Sequence, residues 1–378
     1  MPEIAFTNAR IVLANEVIEG SLDVKGELID SFDHGAAKHA EDIEGDYLIP
    51  GLVELHTDHL ENHYRPRPGV TWNAMAALQS HDVQIAGAGI TTVFDAIRIG
   101  SEPEVGDITG DIAEQVGAIE SAMGTDRLRA EHFVHLRCEL PAADCFDHFE
   151  AHAARPVVRL ASVMDHTPGI RQYTDVSHFI TYYKKKLRLA DSDVERFMQA
   201  RIEMHRLNSG RNRARIIGLG RELGLAFASH DDATLAHVDE AVANGVAIAE
   251  FPTTLEAAKA AHGGGLAVLM GAPNVVRGGS HNGNIAAADL AREGVLDVLS
   301  SDYVPFALIY APFLLPQQVE TIDLPAAIAT VTRNPAKAAG LDDRGEIAPG
   351  RRADLVRVRV QDGLPVVRAV YRQGRRVS

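Results

Sequence analysis

The chain has 378 residues, 46% hydrophobic and 24% charged, which is ordinary for a globular protein and ample for a large core. Its formal net charge of -15 argues against general affinity for nucleic acid or an anionic membrane, because the summed field repels both. Cys138 and Cys145 are its only cysteines, too few and wrongly spaced for a disulfide framework or a zinc knuckle, so a reducing cytoplasm is the expected compartment. No targeting or membrane-spanning segment is expected.

In chain order, Ile4 to Val12, Glu16 to Val24 and Gly26 to Asp30 alternate apolar with polar residues between turn formers and read as short antiparallel strands. Leu355 to Val360 and Pro365 to Tyr371 repeat that pattern at the other end, divided by Asp362 and Gly363. Residues 1–49 and 341–378 are therefore expected to build one small β-sandwich domain, with residues 50–340 inserted between its halves. Within that body, apolar runs alternate with helical patterns at Leu52 to His56, Thr91 to Ala96, His132 to Cys138, Val157 to Met164, Leu225 to Ser229, Val246 to Phe251, Ala267 to Met270 and Leu296 to Leu299. Eight such units predict an α/β fold, a (β/α)8 TIM-type barrel with its active site at the C-terminal ends of the strands. No GxGxxG follows a strand, which disfavours a doubly wound dinucleotide-binding sheet.

The segment LIPGLVELHTDHLENHYRPR, Leu48 to Arg67, sets out the chemistry: a buried-looking strand delivers His56, Asp58, His59, Glu61 and His63. On a strand, His56 and Asp58 project together. Other strand ends carry the same residue types: Asp95, Glu139, Asp165 with His166, His230 with Asp231 and Asp232, and Asp302. Imidazoles and carboxylates gathered at one rim predict a metal centre, and oxygen and nitrogen donors without thiolate suit zinc, manganese or iron(II). Asp231 and Asp232 are expected to orient His230, and Asp95 and Asp165 to be structural or to support a ligand.

Phosphate-binding groups are expected in two places. Tyr182 to Arg221 holds eleven Lys and Arg residues against four carboxylates, a local +7 within an insertion around 173–221. Arginine forks match phosphate oxygens, so Lys184, Lys185 and above all Arg171, five residues past His166, are candidate substrate ligands. In GAPNVVRGGSHNGN, the glycines leave backbone amides open while Arg277, Ser280 and His281 add donors, a pattern that can nest an anion.

PGLVELHTDHLE, GITTVFDAI, RAEHFVHLRCELP, MDHTPG, LAFASHDDATLAHV, AEFPTTLEAA, LMGAPNVVRGGSHNGN and SSDYVP, in that order, resemble the amidohydrolase superfamily. Within it they are similar to the diphosphatases of the carbon-phosphorus lyase pathway for phosphonate degradation. The resemblance runs almost end to end, weakest in the first 45 residues and from Tyr173 to Arg221. It implies two divalent metal ions, most readily zinc, with His56 and Asp58 holding one, His166 and His230 the other, and Glu139 bridging them. Asp302 would touch the first ion and the attacking water and act as general base. Since Glu139 ends the third apolar run where relatives take their bridge from the fourth strand, either a strand is missing from the count or Glu139 is not the bridge. The implied substrate is a phosphorylated ribosyl phosphonate, α-D-ribose 1-methylphosphonate 5-triphosphate, cut to the 5-phosphate and pyrophosphate. His59 stands where that family carries Asn, and Ile170 where it carries Gln. The rival readings are a hydrolase or deaminase of cyclic amides, aminated rings or esters, and a metal-free scaffold. A homo-oligomer is the expected assembly.

Overall fold

The computed structural model describes residues 3–101, 108–171, 180, 183–184, 190–280 and 283–378. The chain starts in a mixed sheet. Strands β1 (Glu3–Val12), β2 (Val17–Lys25), β3 (Leu28–His34), β4 (Glu41–Asp42) and β5 (Tyr47–Pro50) come from its beginning. β6 to β13 form a second sheet, described below, and β14 (Leu355–Gln361), β15 (Leu364–Arg372) and β16 (Arg375–Arg376) return to the first. β5 joins the two ends of the chain, pairing parallel to β1 and antiparallel to β14. The alternation read in the terminal strands buries one side of each: Phe6, Ile11, Ile18, Leu22, Ile29, Leu355 and Tyr371 share one core.

The second sheet consists of eight strands, all parallel: β6 (Leu52–Thr57), β7 (Ile90–Ile99), β8 (Glu131–Glu139), β9 (Val158–Met164), β10 (Ala226–His230), β11 (Ile248–Glu250), β12 (Ala267–Gly271) and β13 (Val298–Ser300). They run in sequence order and correspond one to one with the eight expected runs, so the eight-strand α/β barrel is borne out. Both faces of these strands are covered, which is why β6 and β7 read as continuous apolar runs. Inside the barrel each strand contributes to one cluster: Val53 and Leu55, Phe94, Phe133, Leu160, Ala228, Ile248, Leu269 and Val298. The larger core lies outside, between the strands and helices such as Ala74–Gly87, Thr109–Ala122 and Leu255–Gly263.

The strand count was complete among these eight, so Glu139 does end the third barrel strand. One local expectation needs refinement. With Val53 and Leu55 facing the barrel interior, strict alternation would turn His56 outward. The β6–β7 register slips between Glu54 and Thr57, and across that irregularity His56 reaches the interior cavity.

The two sheets meet at Gly51. A Cβ there would lie 2.2 Å from Oγ1 of Thr91 and 2.9 Å from Cβ of Asp354. Gly51→Ala is therefore expected to destabilise the protein by about 1–3 kcal/mol through overpacking, measured as a lower denaturation midpoint; an unchanged midpoint would show that this junction yields freely.

Candidate active site

At the C-terminal rim of the barrel opens a cavity of about 420 Å³, lined among others by His56, Asp58, His166, His230, Asp231 and Asp302. Five of the six expected metal ligands therefore face one space. The barrel's first and last strands meet here, and polar groups rather than a long ladder hold them. Asp302 N–H donates to the His56 carbonyl at 3.1 Å, and Asp58 N–H to the Asp302 carbonyl at 3.2 Å. The Thr57 hydroxyl donates to that same Asp302 oxygen at 2.9 Å. Asp302 adopts a left-handed backbone, φ 54°, to complete the turn.

Below this seam lies Glu54, which has no exposed surface. It accepts the N–H of His56 at 2.6 Å and that of Ser301, and meets the hydroxyl of Ser300, which also contacts the His56 carbonyl. Burial pushes Glu54 above the usual carboxylate range. The single hydroxyl proton of Ser300 faces both Glu54 and the His56 carbonyl, each 2.5 Å from Oγ.

The two halves of the site are joined by Glu250, at the end of β11. Its Oε2 holds Nδ1 of His230 at 3.1 Å, and its Oε1 lies 3.1 Å from Nδ1 of His56 and 3.8 Å from Nδ1 of His135. The His56 approach is close but not aligned as a hydrogen bond, so Nδ1 of His56 and Oε1 of Glu250 are buried without partners. The His56 and His230 rings stack at 5.5 Å. Burial drives His56 well below the ordinary imidazole value, with the Arg137 charge adding to it, and takes His230 down to about 3. Both rings are neutral, with lone pairs to offer.

His166 follows β9, and its Nδ1 lies 2.6 Å from Oε2 of Glu139, whose Oε1 accepts the His166 N–H at 3.1 Å. Burial works against charge on both groups, but the His166 and Arg98 charges hold Glu139 far below the carboxylate range. Across the cavity, Oδ2 of Asp231 is buried with no hydrogen-bond partner, 3.4 Å from Nε2 of His230 and 3.8 Å from Nε2 of His166. Burial raises Asp231 to about 7. Burial and the neighbouring Asp58 charge raise Asp302 to about 7 as well. Neutral imidazoles, an orphaned carboxylate oxygen and acids that resist ionising together fit a divalent cation. His166, His230 and Asp231 already present donor atoms close enough to share one, as do His56, His135 and Glu250.

The expected substrate ligands divide. Arg277 and Ser280 line the cavity, and Lys184 is exposed beside Tyr183, which also lines it. Lys185 and His281 lie outside the described residues. Arg171 is not brought to the cavity: it is 3% exposed and ion-paired with Asp232 and, at 2.8 Å, with Glu240. Asp232 is thus the partner of Arg171 and of the Ser229 hydroxyl, at 2.6 Å, in place of the expected role beside His230. Asp95 meets His81 and His132, and Asp165 accepts from His205 and Ser209.

The basic insertion contributes less to the cavity than its charge suggested. Its helix, Asp191–Glu222, sets Arg213 against Glu240, Arg206 against Glu203, Arg196 against Asp193, and Arg215 over the Phe146 ring at 3.6 Å. Besides Arg277, the arginines that line the cavity among the described residues come from barrel strands: Arg98 of β7 and Arg137 of β8. Sequence reasoning passed over both, and over Glu250 and His135, because each sits inside an apolar run. The signal available was that period-two spacing places His135, Arg137 and Glu139 on one face of β8.

The Amidohydrolase family model matches residues 270–377. Solved structures show the same fold: 5-methylcytosine deaminase from Klebsiella pneumoniae, TM-score 0.66 at 14% identity, covers 99% of this chain and 98% of its own. N-acetyl-D-glucosamine-6-phosphate deacetylase from Mycobacterium smegmatis gives 0.64 at 14% identity, over 100% of both chains. At the level of sequence, the α-D-ribose 1-methylphosphonate 5-triphosphate diphosphatase of Escherichia coli (strain K12) is 45% identical over 98% of this chain and 99% of its own. The chain belongs to the family of that diphosphatase.

Glu54→Gln tests the seam. An amide has one oxygen for two buried backbone N–H groups, so the variant is expected to lose about 1–3 kcal/mol in chemical denaturation. No loss would mean that Glu54 does not hold the seam.

Proposed function

We propose that this protein hydrolyses α-D-ribose 1-methylphosphonate 5-triphosphate to the 5-phosphate and pyrophosphate. The observation that carries the reading is the pairing, in one cavity, of a histidine and carboxylate cluster with Arg98, Arg137 and Arg277. Cyclic amides and aminated rings have no use for three guanidinium groups, whereas a triphosphate does. The E. coli relative, named for that activity, supports the same substrate.

His56, Asp58 and Asp302 are assigned to one divalent ion, and His166, His230 and Asp231 to a second; Glu139, expected as the bridge, stands behind Nδ1 of His166 and outside the cavity lining. Zinc suits this set of nitrogen and oxygen donors. When bound, such ions acidify the attacking water and neutralise phosphoryl charge. Glu250 fixes the Nδ1 side of His230, which leaves its Nε2 for ligation, and stands 3.1 Å from Nδ1 of His56. Asp302, held at the seam, accepts the proton of the attacking water. Arg137, 3.5 Å from Asp58, and Arg98, 3.3 Å from Glu139, meet the phosphoryl oxygens beside the ligands. Arg277 and Ser280 receive the outer phosphates. A cytoplasmic location suits the free, buried Cys138 and Cys145, and a homo-oligomer is retained as the proposed assembly. No helix among the described residues is long and apolar enough to cross a membrane.

Phosphorus NMR of the triphosphate incubated with protein and metal is expected to show pyrophosphate and the 5-phosphate growing together. Orthophosphate, or no reaction in protein shown to hold metal, would refute the diphosphatase reading. Asp302→Asn is expected to keep its metal content and lose about 10²–10⁴ of the turnover rate; normal turnover would remove Asp302 as the base.

A further inference from the structure

A second histidine cluster lies apart from the cavity, on the outer face of the barrel. His59 and His63 sit four residues apart on the helix His59–Tyr64 and so share a face, as paired metal-binding histidines on helices do. The helix Ala74–Gly87 brings His81 against them, with ring centroids 5.6 Å from His59 and 5.9 Å from His63. None of the three lines the catalytic cavity. Each offers a ring nitrogen, and the three lie within 4.8 Å of one another.

Three details distinguish this cluster from histidines that are merely packed together. Nδ1 of His59 and Nδ1 of His81 are 3.4 Å apart. Two nitrogens each about 2.0–2.1 Å from a tetrahedral zinc are separated by about 3.3–3.4 Å. Nε2 of His63 is buried with no hydrogen-bond partner. Most telling is the support behind His81, whose surface is 0% exposed. Its Nε2 lies 2.8 Å from Oδ1 of Asp95, which fixes the proton there and turns the Nδ1 lone pair toward His59. Asp95 is itself fixed by Nδ1 of His132 at 2.7 Å, and Nε2 of His132 lies 3.3 Å from Asp82. Asp82 accepts the backbone N–H groups of Arg129 and Ala130. A carboxylate behind a ligating imidazole, itself anchored by a further layer, is how metal sites hold their ligands in place.

We infer that His59, His63 and His81 form a further divalent-cation site of the zinc type, separate from the catalytic centre, with its fourth position open to water. An ion there ties the helix His59–Tyr64 to the helix Ala74–Gly87. That helix starts directly after Asp58, its N-cap residue, so the site braces one edge of the catalytic rim from behind.

The test is metal stoichiometry on the full-length protein, stripped with chelator, reloaded with zinc, dialysed and measured by mass spectrometry. His63→Gln and His59→Gln, examined separately so that a folding failure in one leaves the other, are each expected to hold one zinc fewer than the parent chain. The triple variant His56→Ala/His166→Ala/His230→Ala, which strips the imidazoles from both catalytic ions, is expected to retain zinc at this cluster, with an X-ray absorption spectrum showing three imidazole ligands. Equal zinc content in the parent and the folded single variants, or no zinc in the folded triple variant, would overturn the assignment. Because the readout is metal content, failure here leaves the diphosphatase reading standing, and absence of diphosphatase activity leaves this site standing.

Discussion

Closing a barrel brings its first and last strands together, and in this protein that closure is made by side chains and single backbone contacts rather than by a continuous ladder. One bridge, Thr57 to Asp302, and the hydrogen bonds around it join β6 to β13. The functional site depends on that join. It places Asp302 beside His56 and Asp58, although 244 residues separate the bonded Ser300 and His56. The slip in β6 register that carries His56 inward falls in the same few residues, and Glu54 fastens both strands from below. Hydrogen-bond geometry at the seam is therefore also ligand geometry at the rim.

Electrostatics then decides what such a rim can hold. Asp231 and Asp302 are both raised to about 7 by burial, while His56 and His230 are held neutral. Acids reluctant to ionise beside imidazoles that do not protonate leave a deficit of positive charge that a divalent cation corrects. Arg98 and Arg137 lie next to this deficit and Arg277 at the cavity wall, so an anionic substrate meets guanidinium groups there on a chain whose formal charge is -15. Local arrangement outweighs net charge because the partners sit within a few ångströms of the substrate's place.

The barrel was legible because buried parallel strands leave continuous apolar runs, and all eight correspond to observed strands. His56, Asp58, His166, His230 and Asp302 were legible because each stands where a run stops. Glu250, Arg98, Arg137 and His135 were not, since a polar residue inside an apolar run reveals its role only when register shows which face it occupies. Arg171 misled for a different reason. Proximity to His166 along the chain says nothing of Asp232 and Glu240, 61 and 69 residues further on, which take its guanidinium. The basic insertion misled likewise: charge summed over a segment does not say which side of a helix carries it, and most of its described arginines meet neighbouring carboxylates or rings. The cluster of His59, His63 and His81 joins residues of two helices, and its supporting Asp95 and His132 come from two strands, so only the fold assembles it.

The central claim is that the strand seam builds a metal-dependent hydrolytic centre at the barrel rim. Anomalous X-ray scattering from crystals of the zinc-loaded protein tests it most directly. The account predicts peaks inside the rim cavity, about 2.0–2.1 Å from ring nitrogens of His56, His166 and His230. A fully loaded crystal with no anomalous peak at those histidines would contradict it.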